Sequence, residues 1–216
     1  MSSLSPVGVC RRSLIRIGVS KTIASIENPK TNEELLCAEC YDDIRQRLLR
    51  NHTWNFAKKR VRISAEPTAP LFQYDTAYNL PTGFIRLIQI GDSQADRKDI
   101  DFSLENGQLL VNNNTNEDAG ILDIVYIYDE KDVNKWDTLF RELVRLQVAH
   151  TICYALTKKS TLVDRISEEI KDLTPKSKSA DGQDTQIKRV ETSRIIKSRF
   201  GGCGIPNNLN GHYMRC

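Results

Sequence analysis

The alternation of apolar and polar residues divides this chain into helical ends and an extended middle. From Pro6 to Gly18 the apolar positions Val9, Leu14, Ile15 and Ile17 predict a short helix, and Gly18 suits the left-handed conformation that ends one. After the Asn28-Pro29 break, Thr31 and Glu34 stand three apart as a capping box, each side chain placed to bond the other's amide. The helix they open runs to about Asn51 and carries Cys37, Cys40, Tyr41, Ile44 and Leu48 on one stripe.

Beyond Trp54 the period changes to two. Trp54 and Phe56 are expected to share one face of an extended segment, anchoring a sheet to the helices, with Lys58, Lys59 and Arg60 beside them for an interface. Val61 and Ile63 continue this strand into the proline-containing loop Ala65 to Pro70. Phe84 to Ile90, Gln108 to Val111 and Ile121 to Tyr128 read as further strands separated by turn residues, together a small antiparallel sheet.

The helical period returns at Asp132. A long helix is expected from there to about Lys159, with Trp136, Leu139, Phe140, Leu143, Leu146, Ile152, Cys153 and Leu156 covering more than one stripe. A shorter helix should follow from Leu162 to Leu173, then a polar gap from Pro175 to Gly182, then a basic helix from Gln183 to Arg199. Neither helical end has enough apolar surface alone, so the two must pack together. The expected fold is α+β: a helical bundle from residues 1–53 and 132–200, a β insertion at 54–131, and an extended C-terminal tail at 201–216.

Composition adds an intracellular setting. The chain has 216 residues, 39% of them hydrophobic, which permits a real core. No apolar run approaches the ~20 residues of a bilayer span, and the first residues lack the pattern of a secretory signal. Six irregularly spaced cysteines suit a reducing compartment better than a disulfide scaffold. The net charge of +3 hides opposed blocks: twelve Lys/Arg face six Asp/Glu in residues 1–62, whereas four face twelve in residues 91–137. Residues 171–200 are basic again, eight against four.

Candidate chemistry is sparse. Cys37 and Cys40 form a CxxC that fits half a zinc site or a redox pair, but their place on a helical stripe favours core cysteines. Further metal ligands would have to come from Cys203, His212 and Cys216, whose spacing matches no compact zinc module. His52, His150 and His212 lie in different elements, and His150 reads as a core or interface residue. There is no nucleophile elbow, Walker loop or dinucleotide fingerprint, and no cofactor is expected. Lys188, Arg189, Arg194, Lys197 and Arg199, with Phe200, are expected at a subunit or partner interface, since Ile187, Val190 and Ile195 add an apolar stripe. The competing classes are a basic nucleic-acid-binding module, through phosphate contacts, and a small hydrolase with an assembled site.

Several of these segments carry a family likeness. Ser13 to Gly18, Ala24 to Ile26, Cys40-Tyr41, Leu48-Leu49, Trp54 to Ala57, Tyr78 to Pro81 and Phe84 to Arg86 resemble the tail tubular protein A family. The likeness extends through Tyr126 to Asp129 and the helix with Phe140 and Ala149, over roughly residues 8–190. These are adaptor, or head-to-tail connector, proteins of short-tailed bacteriophages, and they share the organisation of a helical bundle interrupted by a β domain. The resemblance implies a virion protein made in the host cytoplasm and not an enzyme, in a ring of about twelve copies. The ring would sit under the portal protein and receive the tail nozzle protein, and DNA would pass through its lumen without sequence-specific binding. It also implies that the C-terminal segment docks the portal while the β domain faces the tail or a neighbouring subunit. The Gly201-Gly-Cys-Gly204 tail departs from the family's pattern.

Overall fold

The first helix, α1 (Pro6–Arg16), opens where Ser5 Oγ accepts from the Gly8 amide at 3.0 Å, with proline in the first turn where its missing N–H costs nothing. In α2 (Asn32–Asn51) the reciprocal capping box forms: Thr31 Oγ1 accepts from Glu34 N, and Glu34 accepts from Thr31 N. A computed structural model describes residues 5–91, 100–112 and 120–184. These belong to one compact unit that runs to Thr185.

Between α2 and the first strand the chain does not extend at once. Asn55–Ala57 closes a single 3-10 turn, Ala57 N donating to Trp54 O at 3.1 Å, so Trp54 and Phe56 do not share the face of a strand as the spacing suggested. The reason is tertiary. The Asn55 amide donates to Asp181 Oδ1 and its side chain to the Asp181 carbonyl, which holds the turn in place.

Six strands follow: β1 (Lys58–Ser64), β2 (Thr76–Asn79), β3 (Phe84–Ile90), β4 (Phe102–Glu105), β5 (Gln108–Val111) and β6 (Ile121–Tyr128). They form two three-stranded antiparallel sheets, ordered β1-β6-β3 and β2-β5-β4, instead of the single sheet anticipated. The four-residue strands β2 and β4 are too short to show a period of two. β4 and β5 join through Asn106 and Gly107, both at positive φ, the geometry of a two-residue hairpin. Gly83 is also at positive φ, and a Cβ there would meet Tyr128 Cε2 at 2.6 Å.

Two further boundaries move. Asp132 does not begin the long helix: its carboxylate accepts from Asn134 N, Val133–Lys135 makes one 3-10 turn, and Trp136 is buried with its Nε1 donating to Glu130 O. The helix proper, α3 (Thr138–Thr157), is capped by Asp137, whose Oδ2 accepts from Leu139 N and Phe140 N. After Lys158, in the left-handed region, α4 (Ser160–Gln183) runs without a break through Pro175, so the polar gap is helical. Hydroxyls supplement the ladder around the proline: Thr174 Oγ1 donates to Ile170 O, and Ser177 Oγ to Leu173 O and Thr174 O. The expected basic helix and tail, including Lys188, Arg189, Arg194, Lys197, Arg199 and Phe200, lie outside the described residues.

The architecture is thus mixed α and β, four helices with two small sheets. One apolar core takes Leu14 from α1, Leu49 from α2, Phe140, Leu143 and Ile152 from α3, Ile166 from α4, and Ile127 from β6. A second core lies among the strands and unites Tyr78, Leu87, Ile90, Leu109, Val111 and Ile124. Strand β6 takes part in both. Leu122, Ile124 and Tyr126 point to the strand core, and Ile127, of opposite parity, points to the helices. No helix of the described residues is long and apolar enough to cross a membrane.

Candidate functional site

The helix-sheet junction is built around an aromatic cluster. Trp54 is 1% exposed, its Nε1 donates to Leu48 O at 2.9 Å, and its ring meets Phe140 edge-on at 4.9 Å. Phe56, half-buried, reaches the same Phe140 at 4.9 Å. Phe140 in turn meets Trp136, which stacks on Tyr41. A ring from α3 therefore joins the end of α2, the 3-10 turn and the approach to α3.

Polar bonds close this junction on both sides. His52 Nε2 lies 3.0 Å from Asp181 Oδ2 and edge-on to Trp54, so the last turn of α4 is tied to the exit of α2. On the other side Arg45 and Asp129 form a buried pair, which Gln46 joins through Nε2 at 3.2 Å from Asp129 Oδ2. Sequence reading missed both links, because their partners lie 84 and 129 positions apart.

The three basic residues beside the junction have distinct settings. Lys58 is half-buried and donates to Asn55 Oδ1 at 2.6 Å. Lys59, exposed, lies over the Tyr128 ring with Nζ 3.1 Å from its centroid, a cation–π contact. Arg60 is exposed on the same strand. Only Lys59 and Arg60 are therefore presented outward.

The described cysteines, Cys10, Cys37, Cys40 and Cys153, lie in or against the helical core. Cys10 and Cys37 are buried, and the hydrogen bond between them, with burial, pushes the Cys10 thiol well above its usual range while it holds Cys37 below its own. Burial pushes Cys40 up to about 12, the opposite of what a reactive thiolate needs. Among the described residues no group of three or more His, Cys, Asp and Glu side chains could hold a metal ion. His150 is half-buried within α3.

Two outward features have no counterpart in the sequence reading. Arg12 and Arg16 of α1 and Arg145 of α3 line one groove of about 230 Å³, and Arg141, four residues before Arg145, lies close enough to feel the charges of Arg145 and Arg12. Burial, and then the neighbouring Arg145, hold Arg141 below the usual guanidinium range. The second feature is the loop between β1 and β2, where Leu71 is 97% and Phe72 79% exposed. The four-residue spacing of the arginines was visible in sequence; their meeting across two helices was not.

No protein-family model matches the chain, and no curated protein matches it significantly.

Proposed function

We propose that this protein is a structural adaptor, the head-to-tail connector of a short-tailed phage virion. In this reading residues 1–53 and 132–200 make a helical bundle, residues 54–131 an inserted β domain, and residues 201–216 an extended tail. About twelve copies form a ring between the portal protein and the tail nozzle protein, and DNA passes through the lumen. The protein acts by assembly and not by catalysis.

The observation that carries the reading is the shared core in which helices from before and after the strands pack together, with Trp54 and Phe56 of the turn that leads into β1 seated on Phe140. It supports a helical body bearing a β module, the organisation that the resemblance of Trp54 to Ala57 and its companion segments implies.

Native mass spectrometry of the full chain, alone and with portal protein, tests the proposal. A discrete complex of about a dozen copies on the portal is expected. A chain that ignores the portal and instead binds free DNA with a steep loss of affinity in salt overturns it in favour of a nucleic-acid-binding module.

A further inference from the structure

The arginine groove between α1 and α3 is electrostatically incomplete. It is lined by Arg12, Ile15, Arg16, Glu142, Arg145 and Leu146. Glu142 serves Arg145 and Glu169 serves Arg16, whereas Arg12, exposed at the groove, has no carboxylate partner among the described residues. Ile15, 64% exposed, adds an apolar wall. An occupant should bring both a carboxylate and apolar side chains. The apolar wall and Glu142 disfavour a phosphate backbone, which offers only negative charge.

The chain itself supplies a segment of that chemistry. Between Ile63 and Ile85 there is no Lys or Arg, and the two charges are Glu66 and Asp75. The loop in this stretch presents Leu71 and Phe72 to solvent, Gln73 turns the backbone at φ +73°, and Asp75 is exposed three residues beyond Phe72. The loop thus exposes apolar side chains at Leu71 and Phe72 and a carboxylate at Asp75.

We propose that the loop of residues 65–75 of one copy seats in the arginine groove of a second copy, Phe72 and Leu71 against Ile15, and Asp75 facing Arg12. Two different surfaces of one chain meet in this contact, so it is heterologous and propagates from subunit to subunit until a ring closes. The inference rests on the ring-forming reading above and names the surfaces that would join its subunits. Opposite charge sets the register, and the aromatic side chain supplies the anchor.

The experiment places the photo-crosslinker benzoylphenylalanine at position 72 of the full chain and maps cross-links between copies by mass spectrometry as concentration rises. Phe72 is exposed, so the replacement leaves the fold intact. Cross-links into residues 12–16 and 141–146 are expected; Arg12→Glu should reduce them roughly tenfold, and Asp75→Arg on the other copy should restore them. No cross-link at any concentration, cross-links elsewhere, or an Arg12→Glu yield equal to the parent's overturns the contact. Loss of the cross-links to added DNA, with Arg12-dependent DNA binding, also overturns it. Cross-links at the groove in a chain that never joins the portal would keep this contact and remove the connector reading. A portal-bound ring whose cross-links map elsewhere would do the reverse.

Discussion

Arg45 and Asp129 form a two-pronged ion pair inside the junction: Arg45 Nε lies 2.8 Å from Asp129 Oδ1 and Nη2 lies 3.0 Å from Oδ2. The arginine side chain is 3% exposed and the aspartate 8%, so neither charge has water as an alternative. Asp42 adds a third contact from the preceding turn of α2, and Arg45 also packs over the Tyr41 ring. The pair fixes the exit of β6 to the middle of α2.

Removing one member should cost more than removing both. Asp129→Ala leaves the buried guanidinium with only the exposed Asp42 as counter-charge and is expected to destabilise the fold by up to about 3–5 kcal/mol. The double variant Arg45→Met, Asp129→Leu exchanges the pair for apolar side chains and should lie closer to the parent. Urea unfolding followed by tryptophan fluorescence measures both. A double variant as unstable as the single one would assign the pair's value to shape and not to charge.

Trp54 is the second support of the junction. Its replacement by alanine removes the ring from contact with Phe140 and Phe56 and the donor from Leu48 O, and should cost about 3–5 kcal/mol. Trp54→Phe keeps most of the packing and loses the hydrogen bond, so a smaller loss is expected. Thermal unfolding of the two variants separates the parts.

The fold was legible in sequence where one local rule acted alone. The Thr31 and Glu34 capping box, the stripe through Cys37 and Leu48, and the β-rich run from Ile121 to Tyr128 each stand where local pattern put them. It was illegible where polar residues did apolar work. In α4 the inward stripe of Ile166, Ile170 and Leu173 continues through Ser177 and Asp181, both buried. Their burial is supported by bonds to Leu173 O and to Asn55 N, which no count of apolar positions anticipates. Pro175 added a false stop signal, because the interior of the helix tolerates it here with help from Thr174 and Ser177. The candidate site shows the same division. The Trp54 and Phe56 pair was visible as aromatic residues, but its setting depends on Phe140, 84 residues past Phe56, and on Asp181.

Asp181 accordingly controls the end of α4. It accepts from the Asn55 amide at 2.8 Å and meets His52 Nε2 at 3.0 Å. Asp181→Ala should leave the Asn55 amide without its acceptor and free the last turns of the helix, at a local cost of about 1–3 kcal/mol. Hydrogen exchange should then accelerate in residues 174–184 and at Asn55, while the amides of α3 keep their protection. Unchanged exchange at Asn55 would show that the clasp contributes nothing to holding the turn.

Glu34 gives the fold a definite dependence on acid. Its carboxylate accepts from Ala24 N at 2.7 Å, Lys30 N at 2.8 Å and Thr31 N at 3.2 Å, and these bonds lower its pKa from 4.5 to about 2. The unfolded chain therefore takes up the proton at a higher pH than the folded chain does. The stability from this group is fully present above about pH 4.5 and is lost as pH falls towards 2. Glu34→Gln cannot titrate, so its unfolding midpoint should fall less steeply across that window than the parent's, from a lower starting value near neutrality. The carboxyl resonance of Glu34, followed by carbon NMR, should titrate well below those of exposed glutamates. A Glu34 resonance that moves with the exposed glutamates, or identical slopes for the two proteins, would show that the three backbone donors do not hold the charge.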